Sequence, residues 1–341
     1  MNRKAKSFAS FAGAVVALAL AAEAGAAVRM VRNDGTDAPG CGASGRPCRS
    51  ITAALESAAD GDRIVVGPGR YGDLNGNGVS DPGDETFEQG CNCLVNVDKR
   101  VTVESEKGAA ATVIDGGGDP YFLVSIAADG AVFGKPGKGF TLTRGQVGVV
   151  VFAGGTAVAG NHAVKNSGTG FSVSVGLAGS QAANRVLRNV ATENGSIGFS
   201  TYGALVLSRN VAVANLYGFE VQGDHAVVTG NLATGNEEVG FQINFGPHVF
   251  TGNSAIANRG IGIWTQILHD TALTGNNVYG NDGCGLRNST GGTLDARGSY
   301  WGAPGGPGDD PADRVCDDGA SSTTTSDASD KELPLKAPNL K

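Results

Sequence analysis

The 341-residue chain holds 26 basic and 33 acidic residues, a formal charge of −7, with 55 glycines and only 6% aromatic residues. An acidic chain with no basic cluster excludes nucleic acid and anionic membrane surfaces as partners, since both are held by neutralising phosphate charge. Abundant Gly without a Gly-X-Y period excludes collagen, and its company of Val, Ala and Asn suits many short strands joined by tight turns.

Residues 1–26 read as a secretory signal peptide. Arg3, Lys4 and Lys6 make a basic start, an apolar run covers residues 11–22, and Ala24-Gly25-Ala26 offers small residues for cleavage. The run is shorter than the ~20 apolar residues a bilayer-spanning helix needs, and no later stretch reaches that length. The expected product is an exported chain, periplasmic or extracellular, monomeric and without a membrane span. Cleavage would remove three basic residues and one acidic one and leave a charge of −9.

Six cysteines remain, an even count that in an exported chain points to disulfides. Cys41–Cys48 would close a small loop, and Cys284–Cys316 would tie the C-terminal segment to the body. Cys91 and Cys93 are separated by one residue, a spacing that strains a direct bridge, so other partners stay open for them. No Cys-x-x-Cys or Cys/His spacing supports zinc.

Downstream of the first cysteine pair, "SITAALESAA" places Ile51, Ala54, Leu55 and Ala58 on one helical face, with Ser50 as the N-cap. "DRIVV", "LVNV", "RVTVES", "TVIDG", "FLVSI" and "AVFGK" then read as strands between turns. "DLNGNGVSDPGDE", residues 73–85, interrupts them. Asp73, Asn75, Asn77, Gly78, Asp81 and Asp84 fall at positions 1, 3, 5, 6, 9 and 12 of a calcium-loop pattern, with the Val79 carbonyl as the backbone ligand. The stretch resembles the calcium loops of dockerins and thrombospondin type-3 repeats. Asp84 stands in place of the usual bidentate Glu, with Glu85 as a substitute. The expectation is a structural calcium ion.

From residue 140 to 300 the chain repeats. Asn161, Asn189, Asn210, Asn231, Asn253 and Asn276 recur at spacings of 28, 21, 21, 22 and 23 residues. Asn166, Asn194, Asn215, Asn236, Asn258 and Asn281 follow in phase, then Phe171, Phe199, Phe219, Phe241, Ile263 and Leu286. A period of 20–30 means a solenoid. Its segments of three to five residues, rich in Val, Phe and Thr and poor in Leu, make each repeat a coil of short strands stacked by parallel pairing about 4.8 Å apart. Equivalent side chains then lie over one another. Asn at a corner builds a hydrogen-bonded ladder and tolerates the left-handed turn, and the Phe residues stack inside.

The segment "DGTDAPGCGASGRPCRSITAALESAADGDRIVVGPGRY", the "GN-x4-N…GF" coils and the closing "SYWGAPGGPG" together resemble right-handed parallel β-helix proteins of the pectate-lyase-like superfamily. More narrowly they resemble its bacterial members with short NosD-type repeats. The resemblance covers nearly all of residues 28–320 and implies an all-β, single-stranded right-handed parallel β-helix (a solenoid) capped by the short N-terminal helix. It does not choose among lyases, hydrolases, epimerases and adhesins. The expected division is a β-helix at 27–320 and a C-terminal tail at 321–341.

Aligned on the inward Phe, the next residue points outward: Ser172, Ser200, Glu220, Gln242, Trp264 and Arg287. Two further on stand Ser174, Tyr202, Gln222, Asn244, Gln266 and Ser289. Aromatic rings beside amides and charges suit a sugar, so Tyr202, Gln222, Gln242, Asn244, Trp264 and Gln266 are the candidate ligand-binding residues. Asp224-His225, His248 and His269-Asp270 occupy the following turn in successive coils. Two coil steps, about 10 Å, separate His225 from His269, too far for one zinc ion. General acid–base work by one His with its Asp, or hydrogen bonding of the corner backbone, is the alternative.

A uronate lyase needs a base and a cation, and Arg287 stands without a second cation. A glycosidase needs two carboxylates roughly 5–9.5 Å apart, and the face supplies only Glu220, with Asp224 and Asp270 as remote candidates at the corner. The paired-Asp and Gly-His-Gly signatures of polygalacturonases and the Asp-Pro-His-Asp signature of alginate epimerases are absent. The reading is carbohydrate binding, with extracellular or cell-wall polysaccharide as the partner. The alternatives are a polysaccharide-processing enzyme using Glu220, His225, His248, His269 or Arg287, and a structural surface or adhesion module.

Overall fold

The computed structural model describes residues 26–335 apart from 80, 86, 119–120, 175–181 and 268–269. The expected signal peptide lies outside the described residues, save Ala26. The coils build three parallel sheets of nine, ten and nine strands, with a further two-stranded pair. Sheet I runs from Val28–Val31 to Val249–Thr251, sheet II from Cys93–Val97 to Val315–Asp317, and sheet III from Gly69–Gly72 to Asn277–Tyr279. The chain visits the sheets in turn, so every strand pairs with its counterpart one coil away, as a solenoid of 21- to 23-residue repeats requires.

Register is set by the interior. Phe171, Phe199, Phe219, Phe241, Ile263 and Leu286 are partners in successive strands of sheet II. The four rings stack at centroid distances of 4.9, 4.8 and 4.6 Å, each 7° from parallel. That spacing is the interstrand distance, which makes a ring-on-ring file the natural filling of a coil of this size.

Both Asn files flank sheet III and are buried. Each Asn donates from Nδ2 to the Oδ1 of the next; the Asn210–Asn231 step is 3.0 Å and the Asn215–Asn236 step 3.2 Å. The other Nδ2 hydrogen goes to a carbonyl of the coil before, as from Asn231 to Leu207 at 2.8 Å. The same Oδ1 also accepts the backbone N–H of its predecessor, as Asn231 does from Asn210 at 2.9 Å. One side chain thus satisfies three groups that the corner removes from the sheets. The residue before the first Asn is left-handed: Gly230 at φ 66°, and Arg188 and Arg209, which replace Gly, at 54° and 57°.

The glycine before each Phe has a different cause. A Cβ on Gly218 would lie 2.5 Å from the Gly240 carbonyl oxygen and 2.8 Å from Asn236 Nδ2. At Gly240 the values are 2.6 Å from Gly262 and 2.8 Å from Asn258. The glycine makes room for the ladder.

The ladders end on other side chains. Asn276 N–H donates to Ser299 Oγ, and Asn281 Nδ2 donates to Asp313 Oδ2 at 2.6 Å. Burial raises the Asp313 pKa above its ordinary 3.8, against hydrogen bonds from Asn281 and Gly280 that lower it. A raised carboxyl pKa contributes stability fully below the ordinary value, and that contribution is lost as pH rises through the folded value. Asp313→Asn would extend the ladder with a neutral member. It should gain about 1 kcal/mol at pH 7 in urea denaturation, and the gain should vanish in acid near the ordinary carboxyl value.

Helix α1, Ile51–Ser57, covers the first coils, with Ser50 Oγ accepting from Ala53 N–H as its N-cap. Its first-turn amides are also met from the insertion: buried Glu85 accepts from Ile51 N–H, Thr52 N–H and Thr52 Oγ1. Glu85 is therefore spent on the helix and does not substitute for Asp84 in the loop. Cys41–Cys48 and Cys284–Cys316 are bonded as expected, and Cys91 bonds directly to Cys93, the bridge that the one-residue spacing counted against.

The tail boundary expected at residue 320 falls inside structure. Ser322–Thr324 pairs in parallel with Thr293–Asp295, and Leu333 exchanges hydrogen bonds with Asn277 of sheet III.

Candidate functional site

The outward side of sheet II carries three rows. The central row is Ser172, Ser200, Glu220, Gln242, Trp264 and Arg287, in register from coil to coil. Beside it run Ser174, Tyr202 and Gln222, with Tyr202 58% exposed. The third row, Ile197, Tyr217, Val239 and Ile261, lies two residues before the inward Phe. Strict alternation places that row inside. Ile197, Tyr217 and Ile261 are instead half-buried, with Tyr217 Oη donating to Glu238 on the rim, while Val239 is 2% exposed.

The polar groups of the central row are held in place. Glu220 Oε2 accepts from Ser200 Oγ at 2.8 Å and Oε1 from Gln222 Nε2 at 2.7 Å. Gln242 Nε2 donates to Gln266 Oε1 at 3.3 Å. Trp264 Nε1 donates to Ser289 Oγ at 3.2 Å, and Ser289 in turn to Asp318 Oδ2 at 2.6 Å. Arg287 sits 2.8 Å from Asp318 and 6.0 Å from the Trp264 ring centre. This pairing neutralises the cation expected on the face, and Asp318 could be found only from the coordinates. Its carboxyl is held below the ordinary range by hydrogen bonds from Arg287 and Ser289. Phe245 and exposed Ile267 add an apolar edge in the following turn.

Asn244 departs from the expected pattern. It is 8% exposed and its Oδ1 accepts Gln266 N–H at 3.1 Å, so it braces the turn and does not present to the face. Alternation fails there because the strand stops at Ile243 and Phe245 adopts a left-handed φ of 70°.

Of the histidine corner, His225 and His248 are among the described residues, close enough to influence each other's charge. His248 is buried; its Nδ1 accepts Ala226 N–H at 3.3 Å and its Nε2 donates to the Asn244 carbonyl at 3.1 Å. Desolvation lowers its pKa, against the hydrogen bond to Asn244 that raises it. A neutral imidazole with both nitrogens occupied serves the backbone and has no lone pair for a proton transfer or a metal. His225 is exposed at φ 62° beside Asp224, and His269 lies outside the described residues. The fourth imidazole, His162 on sheet III, contacts Thr192 Oγ1, and burial lowers its pKa.

In the insertion, Asn75 and Asn77 converge on Asp81 Oδ2 at 2.6 and 2.8 Å. Asp84 accepts from the Leu74 and Asp81 amides. Asp73 is buried, accepts from Gly76 and Gly78, and lies 2.9 Å from Arg144. Val79 is exposed. A cleft of about 330 Å³ lies here, lined by Asp73, Asp84, Glu85 and Phe87 among others. Its buried acids are already engaged by amides, helix α1 or Arg144.

Glu220 and the Asp318 row stand four coil steps apart, roughly 19 Å, well beyond the carboxylate spacing of either class of glycosidase.

The family model described as "Periplasmic copper-binding protein (NosD)" matches residues 130–295. None of the curated proteins matches the chain. Among solved structures, pectate lyase Pel9A is similar at a TM-score of 0.53 and 17% identity, over 93% of this chain and 83% of that one. A rhamnogalacturonan lyase aligns at a TM-score of 0.45 and 11% identity, over 92% and 90%. No helix among the described residues is long and apolar enough to cross a membrane. With its three parallel sheets and stacked interior files, the chain is a right-handed parallel β-helix, the fold it shares with pectate lyase Pel9A.

Proposed function

We propose that this is an exported β-helix protein that binds carbohydrate along the outward face of sheet II. The observation that carries the reading is the fixed pair of aromatic and carboxylate groups in one row. Trp264 is anchored through Ser289, and Glu220 is held by Ser200 and Gln222 two coils away. Two coil steps span about 10 Å, the length of about two sugar residues, so ring stacking and directed hydrogen bonds would meet neighbouring units. Export is supported by the basic-apolar-small pattern of residues 1–26, by three disulfides and by the periplasmic description of the matched family.

The test is affinity electrophoresis against neutral, acidic and amine-bearing polysaccharides. Wild type should be retarded by at least one of them, and Trp264→Ala should reduce that retardation about tenfold, the scale of a lost aromatic anchor. Retardation by none would leave the face a structural surface. Release of unsaturated or reducing sugar ends would make it an enzyme.

The copper in the matched family's description finds poor donors on this chain. All six cysteines are in disulfides, His248 has both nitrogens occupied, and His225 alone keeps an exposed imidazole among the described residues. No step is assigned to copper.

Calcium is proposed as a structural ion for the 73–84 loop, on the convergence of Asn75, Asn77 and Asp81. Turning either amide would bring its oxygen toward that point in exchange for the backbone N–H it now accepts, from Asn77 at Asn75 and from Val79 at Asn77. Asp73, shared with Arg144, and Asp84 would complete the set. EDTA should then lower Tm by about 5 °C, the equivalent of a site saturated roughly a hundredfold above its Kd. An unchanged Tm would leave the loop an ordinary turn.

A further inference from the structure

We infer that the sheet II face selects glycans bearing protonated amines, 2-amino-2-deoxy sugars with a free amino group, over uronates, with Glu220 receiving the ammonium. The inference rests on the reading of this face as a carbohydrate surface.

The charge distribution around the central row carries it. Residues 195–282, the coils that hold Tyr202, Glu220, Gln242 and Trp264, contain six carboxylates and two guanidiniums. Glu220 lies on the face itself. Asp224 and Asp270 stand in the turns on one side, and Glu237, Glu238 and Asp282 in the turns on the other, all five exposed. Of the two cations, Arg259 lies 3.6 Å from Glu237, and Arg209 sits in the left-handed corner between sheets I and III, away from the face. One coil further on, Arg287 is committed to Asp318.

Both oxygens of Glu220 accept from neutral donors, and among the described residues no cation is paired with it. Its side chain is half-buried between Ser200 and Gln242. A carboxylate so placed is partly desolvated and keeps lone pairs directed at the ligand. An ammonium would find a charge-assisted partner there. A uronate would meet a like charge at the centre and on both rims, with Arg259 and Arg287 already paired to Glu237 and Asp318.

Calorimetry with three tetrasaccharides tests this: the free-amine glucosamine tetramer, its N-acetylated form and tetragalacturonate. The glucosamine tetramer should bind tightest and weaken with added salt. Glu220→Gln, which keeps the shape, still accepts from Gln222 through its oxygen and can donate to Ser200 Oγ in place of accepting from it, should weaken that tetramer about tenfold and change the acetylated one less than twofold. Asp330→Asn, on the segment that docks against sheet III, should change neither, which separates recognition at Glu220 from general attraction to an acidic protein. Tetragalacturonate binding as tightly as the amine form, or equal losses for both hexosamine tetramers in Glu220→Gln, would overturn the inference. If a Trp264-dependent glycan is found and the amine confers no advantage, only the charge preference falls. If no glycan binds, the carbohydrate reading falls and takes this inference with it.

Discussion

Replacing Asn231 with alanine is expected to cost about 4 kcal/mol, because three buried groups lose partners at roughly 1–3 kcal/mol each. Asn210 loses the acceptor of its backbone N–H at 2.9 Å and of one Nδ2 hydrogen at 3.0 Å, and the Leu207 carbonyl loses its donor at 2.8 Å. Water cannot replace them, since Asn231 is 1% exposed and Asn210 fully buried. The damage spreads along the file, as Asn210 itself orients Asn189. Urea denaturation followed by circular dichroism reads the loss. A change below 1 kcal/mol would mean that the ladder is decoration on a stack held by its apolar interior.

Phe219→Ala is the second large effect. The ring lies 4.8 Å from Phe199 and 4.6 Å from Phe241 and is fully buried, so truncation leaves a cavity between two stacked faces. The expected cost is about 3–5 kcal/mol, the usual range for truncating a buried Phe. Phe219→Leu should cost about 1–1.5 kcal/mol, because Ile263 and Leu286 occupy the same file further along the solenoid. A Leu variant as damaged as the Ala variant would show that ring stacking, and not filled volume, holds the file.

The repeat was legible because stacking copies each constraint from coil to coil. A ladder of Asn demands Asn at every step, and the ring file demands an apolar residue at one phase. Even the glycine before Phe carries a stackable cause, the approach of the next Asn amide. What stayed hidden was non-repeating. Glu85 reaches the first turn of helix α1 across 34 residues, and no periodicity reports such a contact. Ser322–Thr324 is a three-residue strand without an apolar signature, so its pairing with Thr293–Asp295 gave no pattern to read.

The face was half legible for the same reason. The row from Ser172 to Arg287 follows from alternation, and the register places it as expected. The row from Ile197 to Ile261 was missed, because strict alternation places it inside. Asn244 was misplaced where the left-handed Phe245 ends the alternation. Asp318, which neutralises Arg287, comes from the final coil, where the repeat has already faded. The histidines share a corner in sequence, yet backbone hydrogen bonding consumes His248.

Tryptophan emission offers the most direct measurement of the sheet II face as the ligand surface. The chain has two tryptophans: Trp301 is 1% exposed in the core, and Trp264 lies on the face. A glycan that retards the protein should produce a saturable shift in emission at the same half-saturation as binding by calorimetry, and Trp264→Phe should abolish the shift. Full binding with no change in emission, or binding undiminished in Trp264→Ala, would place the ligand elsewhere.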